Sequence, residues 1–327
     1  MKYSFFGTCL NDYEQFFGCL DTILDQSVLP KEIILINSGE KDIRQEILER
    51  FKNKHISLVY IFKKLSRVKA LNLAIEKSTS EYSFRFDSRA RFSKYYAENS
   101  LNILNDQYID AAVVGGSPTA ISDKDTFISL LCSEIMNRNY IFFYPKHRDI
   151  KYSGYSSSIY LGCFNTNVLK AIKFNEKVSL LSEDSLIISD FRDKGFKAYL
   201  SSNIKISYLS RSSFFNLLKL FNSYGYCRAN TILLTKKIFI SPRHFFVFFS
   251  FLIISIIISI LSLKLLIFFP MTLLLINFYG EIKYFRKLNK IYIPFYATLC
   301  QFSWIIGFLW SLITIFKKKE IHSNFIS

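Results

Sequence analysis

Several short clusters in this chain gather residues that move protons or hold ions. Asp87-Ser88-Arg89-Ala90-Arg91 follows an apolar stretch, Asn37-Ser38-Gly39-Glu40-Lys41-Asp42 follows another, and Glu183-Asp184 precedes a helix-forming one. Carboxylates act as general acids and bases or as ligands of hard cations, and arginine forks pair with phosphate or carboxylate. Arg211-Ser212-Ser213 and Tyr224-Gly225-Tyr226-Cys227-Arg228 are two further candidate segments. Each also has an ordinary structural use. Asn-Ser-Gly makes a turn, an Asp after a strand caps the next element, and Glu-Asp before a helix stabilises its N-terminus. Residue type alone leaves both uses open.

The elements that must position these clusters are legible from periodicity. Residues 3–9 read as a first strand, and an amphipathic helix over roughly 12–27 places Phe16, Phe17, Leu20, Ile23 and Leu24 on one side. Pro30 stops it, and KEIILI (31–36) is a second strand. A helix, a strand (56–61), a helix (68–77) and a strand (81–86) follow, and a further strand (111–114) runs into Gly115-Gly116. Strands alternating with helices of this length predict an α/β fold with a mostly parallel sheet. Sheets of that kind bind ligands beyond the carboxyl ends of their strands, where Asn37 and Asp87 fall. Residues 121–235 are less regular, with helices near 125–137, 184–194 and 213–220. The 213–220 helix is apolar nearly all round, which suits burial or the membrane interface.

From residue 244 onward the chain is hydrophobic. Runs at 244–263, 265–279 and 291–316 are separated by Lys264 and by the basic segment GEIKYFRKLNK, and Lys317-Lys318-Lys319 closes the last. About 20 apolar residues cross a hydrocarbon core, so 236–327 reads as a membrane anchor of two to three spans, behind a catalytic domain of 1–235. The positive-inside rule assigns both basic segments to the cytosol, which three full crossings do not satisfy. The net charge of +16 belongs with this anchor, since Lys and Arg gather beside anionic lipid. With no zinc-finger spacing or Arg/aromatic repeat, nucleic acid is not an expected partner. The six cysteines form no CxxC pair, which fits a reducing compartment, and the four histidines show no paired ligand spacing. The first residues lack a signal-peptide pattern, so the domain before the anchor is expected in the cytosol, at the inner membrane of a multi-pass protein.

The order of the motifs resembles inverting family 2 glycosyltransferases of the GT-A fold, specifically the succinoglycan-biosynthesis type. The resemblance rests on QSVLPKEIILINSGEKD (26–42), ALNLAIEKSTSEYSFRFDSRARFSKYY (70–96), VVGGS (113–117), YLGCF (160–164), FNEKVSLLSEDSLIISDFRDKGFK (174–197) and SRSSFFNLLKLFNSYGYCRAN (210–230). It implies that Asp184 is the general base that accepts the acceptor's proton, with Glu183 orienting it or contacting the acceptor. Asn37 stands where the family has an acid that recognises the donor base, while Asp42 matches the later acid of that motif or caps a helix. Thr8 and Asn11 lie where the family lines its nucleotide pocket. Asp87 matches the first acid of the Asp-x-Asp motif, a ligand of a divalent cation (Mg or Mn), but Arg89 replaces the usual second ligand. Weak metal dependence, with Arg89 pairing with the pyrophosphate, is the expectation. Arg85 and Arg91 are read as solvated or structural. Arg228 is assigned to donor phosphates or an anionic lipid headgroup, with a helix-end cation as the equal alternative. YGYCR in place of Gln-x-x-Arg-Trp argues for single-sugar addition over processive synthesis.

The implied function is transfer of one sugar from a nucleotide donor, a UDP-sugar, to a polyprenyl-pyrophosphate-linked or glycan acceptor. The setting would be capsule, O-antigen or exopolysaccharide assembly in bacteria. The rival is a catalytically inactive nucleotide-binding scaffold, motivated by Asn37 and Arg89. Retention of Glu183-Asp184 argues against it. A transporter is excluded because the first 235 residues contain no stretch long enough to span.

Overall fold

The Ile- and Phe-rich runs become four parallel strands: β1 (Tyr3–Cys9), β2 (Glu32–Asn37), β3 (Ser57–Phe62) and β4 (Tyr82–Asp87), side by side in the order β3-β2-β1-β4. The computed structural model describes residues 2–52, 54–142, 144–177, 182–236, 268–282, 284 and 291–316. They divide into two units, Met1–Ile121 with Lys146–Ser210, and Ser122–Pro145 with Arg211–Ser327.

In the first unit the period-two alternation of strand side chains separates two cores. Phe5, Ile33, Leu35, Phe84 and Phe86 pack on one face with α1 (Tyr13–Leu24) and α4 (Tyr96–Leu104). Phe6, Ile34 and Ile36 pack on the other with α3 (Arg67–Lys77), α6 (Thr166–Ile172) and α7 (Glu183–Asp193). The short helix α2 (Arg44–Arg50) links β2 to β3. Sheets covered on both faces need strands that are apolar on both, which is why KEIILI shows no alternation.

The sheet is mixed: most of its strands run parallel, as expected, and β9 (Cys163–Asn165) and β8 (Gly154–Tyr155) run against them. Beyond β4 it continues with β9, β6 (Val113–Gly115), β10 (Ala198–Leu200) and β8. The three-residue β9 is antiparallel to both of its neighbours, β10 is parallel to β6, and β8 is antiparallel to β10. Chain from beyond residue 160 thus inserts between strands that precede it, a pairing too distant in sequence for periodicity to reveal. A second, three-stranded sheet joins β5 (Ala90–Phe92), β11 (Ile206–Leu209) and β7 (Pro118–Ile121).

In the second unit lie α5 (Phe127–Met136), α8 (Phe214–Thr235), α9 (Phe268–Ile282) and α10 (Ile293–Phe316). The 213–220 helix of the sequence reading is the opening of the much longer α8. A Cβ at Gly225 would strike the Trp304 carbonyl, and one at Gly307 would strike that of Asn222. These two glycines let the backbones of α8 and α10 touch. The Arg138 guanidinium donates to both carboxylate oxygens of buried Glu281, at 2.9–3.1 Å, and the Tyr140 hydroxyl donates to the same group at 2.8 Å. Among the described residues, Ile293–Thr314 is the one stretch long and apolar enough to cross a membrane (22 residues, mean hydropathy 1.4). The expected span at 244–263 lies outside the described residues, as do 265–267 of the second expected span, residue 283 and 285–290 of the first basic segment, and the second, 317–319.

Candidate active site

The site assembles where the sheet's parallel strands end. Arg85 and Asp87 are two apart on β4, so both point toward the face covered by α3 and α7. Arg67 opens α3 and Glu183-Asp184 opens α7. Three carboxylates and two guanidiniums therefore meet. Arg85 Nη2 donates to Glu183 Oε1 at 3.0 Å and lies 3.6 Å from Asp87 Oδ1, while Arg85 Nη1 donates to Asp184 Oδ1. Arg67 bridges Asp87 (Nη2 to Oδ1, 2.6 Å) and Glu183 (Nε to Oε1, 2.9 Å). Arg85 is sealed, with 1% of its side chain exposed, and its guanidinium lies over the Phe174 ring, 5.4 Å from the centroid. A buried arginine holds its place only when paired, and here every carboxylate of the cluster pairs with it.

These charges set the carboxylates apart from one another. Burial pushes Asp184 up to about 6 against the pull of Arg85, with Glu183 and Asp87 adding to the rise. Burial would also raise Asp87, but Arg67 and Arg85 outweigh it and hold that carboxyl below the usual range. Divergent values within one cluster are the mark of an acid–base site. Asp184 is a carboxylate with a tunable proton, and Asp87 is a fixed anion.

A second arrangement forms at the ends of β1 and β2. Asn37 is fully buried, its amide donating to Lys41 O at 2.7 Å and to the Tyr60 hydroxyl at 2.9 Å, while its Oδ1 accepts from Gly39 N at 3.0 Å. Asn11 Oδ1 accepts from Glu40 N at 3.0 Å, and the Tyr13 hydroxyl accepts from Lys41 N at 2.8 Å. Gly39 is required because a Cβ there would collide with the Leu10 carbonyl and the Tyr13 hydroxyl. Asp42 accepts from Arg44 N at 3.0 Å, a turn that leads into α2, whose N-cap position is Ile43. Thr8 pairs in register with Asp87 on β4 and with Ile36 on β2. The two loops and the carboxylate cluster are thereby carried on adjacent strands.

The fold and sequence comparisons agree with this geometry. The family model described as "Glycosyl transferase family 2" matches residues 8–165. The dolichyl N-acetyl-alpha-D-glucosaminyl phosphate 3-beta-D-2,3-diacetamido-2,3-dideoxy-beta-D-glucuronosyltransferase of Methanococcus voltae is 25% identical over 76% of this chain and 79% of its own length. The solved structure of the mannosyltransferase PcManGT from Pyrobaculum calidifontis, in complex with GDP-Man and Mn2+, superposes with a TM-score of 0.59 at 13% identity. It covers 97% of this chain and 88% of that one. By residues 8–165 the chain carries a glycosyltransferase family 2 domain. It is an enzyme of the inverting, GT-A type.

PcManGT was solved with Mn2+, and the sequence reading gave Asp87 of this glycosyltransferase to a divalent cation. The residues do not fit one. Asp87 is already paired with two guanidiniums, and among the described residues no group of three or more His, Cys, Asp or Glu converges to hold a metal ion. Arg89, in the second-ligand position, directs Nε to Leu209 O at 2.9 Å and Nη2 to Ser210 O at 2.5 Å. That geometry follows from the turn out of β4: β5 pairs with β11, so the side chain of Arg89 reaches the end of β11. Arg91 is structural, its Nη1 donating to the carbonyls of Gln15, Ser88 and Ala90.

Arg85, read as solvated or structural, is not solvated but the buried hub of the candidate site, and Arg67 was not singled out at all. A signal existed for the first: an arginine inside the apolar strand YSFRFD, two residues from Asp87, must share its face and find carboxylate partners. Arg228 lies within α8 of the second unit.

Proposed function

We propose that this glycosyltransferase moves a single sugar from a nucleotide-sugar donor, a UDP-sugar, to the hydroxyl of a lipid-linked acceptor in building a surface polysaccharide. The convergence of Asp184, Glu183 and Asp87 on Arg85 at the strand ends carries this reading. Asp184 takes the proton of the acceptor hydroxyl as its oxygen attacks the anomeric carbon in line. The bond from that carbon to the donor phosphate breaks, and the nucleoside diphosphate leaves with the electron pair. Arg85 keeps Asp184 aimed, and Glu183 contacts the acceptor. The donor lies over the β1 and β2 ends, with Thr8, Asn11 and the Asn37 loop against its nucleoside. Arg89 and Arg228 are further positions for its phosphates, and Arg228 equally for an anionic lipid headgroup.

A lipid-linked acceptor, polyprenyl-pyrophosphate or similar, is supported by the dolichyl phosphate in the name of the Methanococcus voltae relative. The apolar α10 supports attachment to the inner membrane beside such an acceptor, with the catalytic unit on the cytosolic face and further spans in the multi-pass anchor. Purified full-length protein in detergent, given lipid extract and UDP-, GDP- or dTDP-sugars in turn, tests the proposal. Release of one nucleotide with sugar incorporated into lipid is expected. Incorporation into no acceptor from any donor would overturn it.

A further inference from the structure

The two arginines of the carboxylate cluster are not equivalent. Arg85 is sealed, but Arg67 has 31% of its side chain exposed. A guanidinium carries five N–H donors in a rigid fork. Glu183 and Asp87 take Nε and Nη2 of Arg67, and Nη1 makes no hydrogen bond among the described residues. One edge of the fork is thus pinned by Asp87 and Glu183, and the other keeps two N–H donors on a side chain that is 31% exposed. Arg67 also begins α3, where helix N–H groups favour a negative ligand, and it sits at the strand ends, the ligand side of such sheets.

Resting on the nucleotide-sugar reading above, we infer that Arg67 binds the donor diphosphate in place of a divalent cation. Asp87 and Glu183 position the fork, and Nη1 pairs with the phosphate oxygens. As the anomeric C–O bond breaks, the electron pair passes to the diphosphate oxygen beside this fixed positive charge. The acceptor proton goes to Asp184. No metal is needed to balance the leaving group, and Asp87 serves as a positioning residue.

The test measures binding of UDP and GDP to the full chain in detergent by calorimetry, with EDTA and with Mn2+. Wild type should bind the matching nucleotide equally in both. Arg67→Gln should bind it about 10- to 100-fold more weakly in EDTA, the loss of a charged hydrogen-bonded pair. Because that substitution removes the nearer of the two guanidiniums on Asp87, Mn2+ should strengthen nucleotide binding by Arg67→Gln while leaving wild type unchanged, a response that mere loosening of the fold does not produce. Arg67→Lys, which keeps the charge without the fork, should fall between the two and serves if the Gln variant unfolds. Wild-type binding that collapses in EDTA and returns with Mn2+ overturns the inference and leaves the donor reading standing. So does Arg67→Gln binding as tightly as wild type. Binding of neither nucleotide under either condition overturns both.

Discussion

Replacing Arg85 with Met removes the hub of the site while nearly keeping its volume, and the consequences can be worked out from the geometry. Arg85 is 1% exposed and pairs with Glu183, 6% exposed, and with Asp184, which is 32% exposed. Removing one partner of a buried pair costs ~3–5 kcal/mol. Solvent already screens Asp184, which puts the loss near the lower end, about 3 kcal/mol. For a unit of this size 1 kcal/mol moves the melting temperature by ~2–4 °C, so a drop of roughly 6–12 °C is expected. The sign with pH follows from linkage. Without Arg85 the folded-state value of Asp184 rises further above its unfolded one. The penalty is then full where Asp184 is ionised and fades as pH falls through its raised value. The assay is thermal unfolding of wild type and variant in detergent at pH 7.5 and 4.5, followed with a thiol-reactive dye, since all six cysteines are buried. A deficit that is large at pH 7.5 and shrinks at pH 4.5 is expected. A drop below about 2 °C, or one equal at both values, would refute the assignment of Arg85 as the clamp of two ionised carboxylates.

Two other outcomes follow from the same site. Because burial lifts Asp184 to about 6 and a general base must be deprotonated, kcat/KM should fall about tenfold per pH unit below that value; a flat profile from pH 7.5 to 5 would contradict it. Asn37→Ala strips the partner from the Tyr60 hydroxyl and the Lys41 carbonyl. It should cost ~1–3 kcal/mol of stability and raise the donor KM more than it lowers kcat, as steady-state kinetics on the folded variant would show.

The local part of this architecture was legible and the long-range part was not. β1 to β4, α1 and α3 follow directly from apolar runs, turn residues and helical spacing. The carboxylates were found because strand ends and helix starts are where such sheets present chemistry. Strand β9 escaped because three residues, Cys163–Asn165, carry no periodicity, and their pairing with β4 and β6 depends on chain far away. The length of α8 was missed for a related reason. Its polar YGYCRAN segment reads as a motif rather than a helix, and Gly225 is tolerated inside it because α10 packs close there. Asn37, placed by alignment with a base-recognising acid, proved to spend its amide on the loop itself. A residue's position in a motif locates it but does not say whether its hydrogen-bonding groups remain for a ligand. Arg67 shows the converse, since nothing in SRVKALNLAI marks its arginine until α3 is docked beside β4.

The claim that most needs testing is that Asp184 is the base. Wild type and Asp184→Asn should be compared with the donor found in the screen, measuring nucleotide affinity and sugar transfer on the same preparations. The account predicts affinity within about threefold and transfer lower by ~100- to 10,000-fold, the typical contribution of a positioned base. Transfer by Asp184→Asn near the wild-type rate would contradict it.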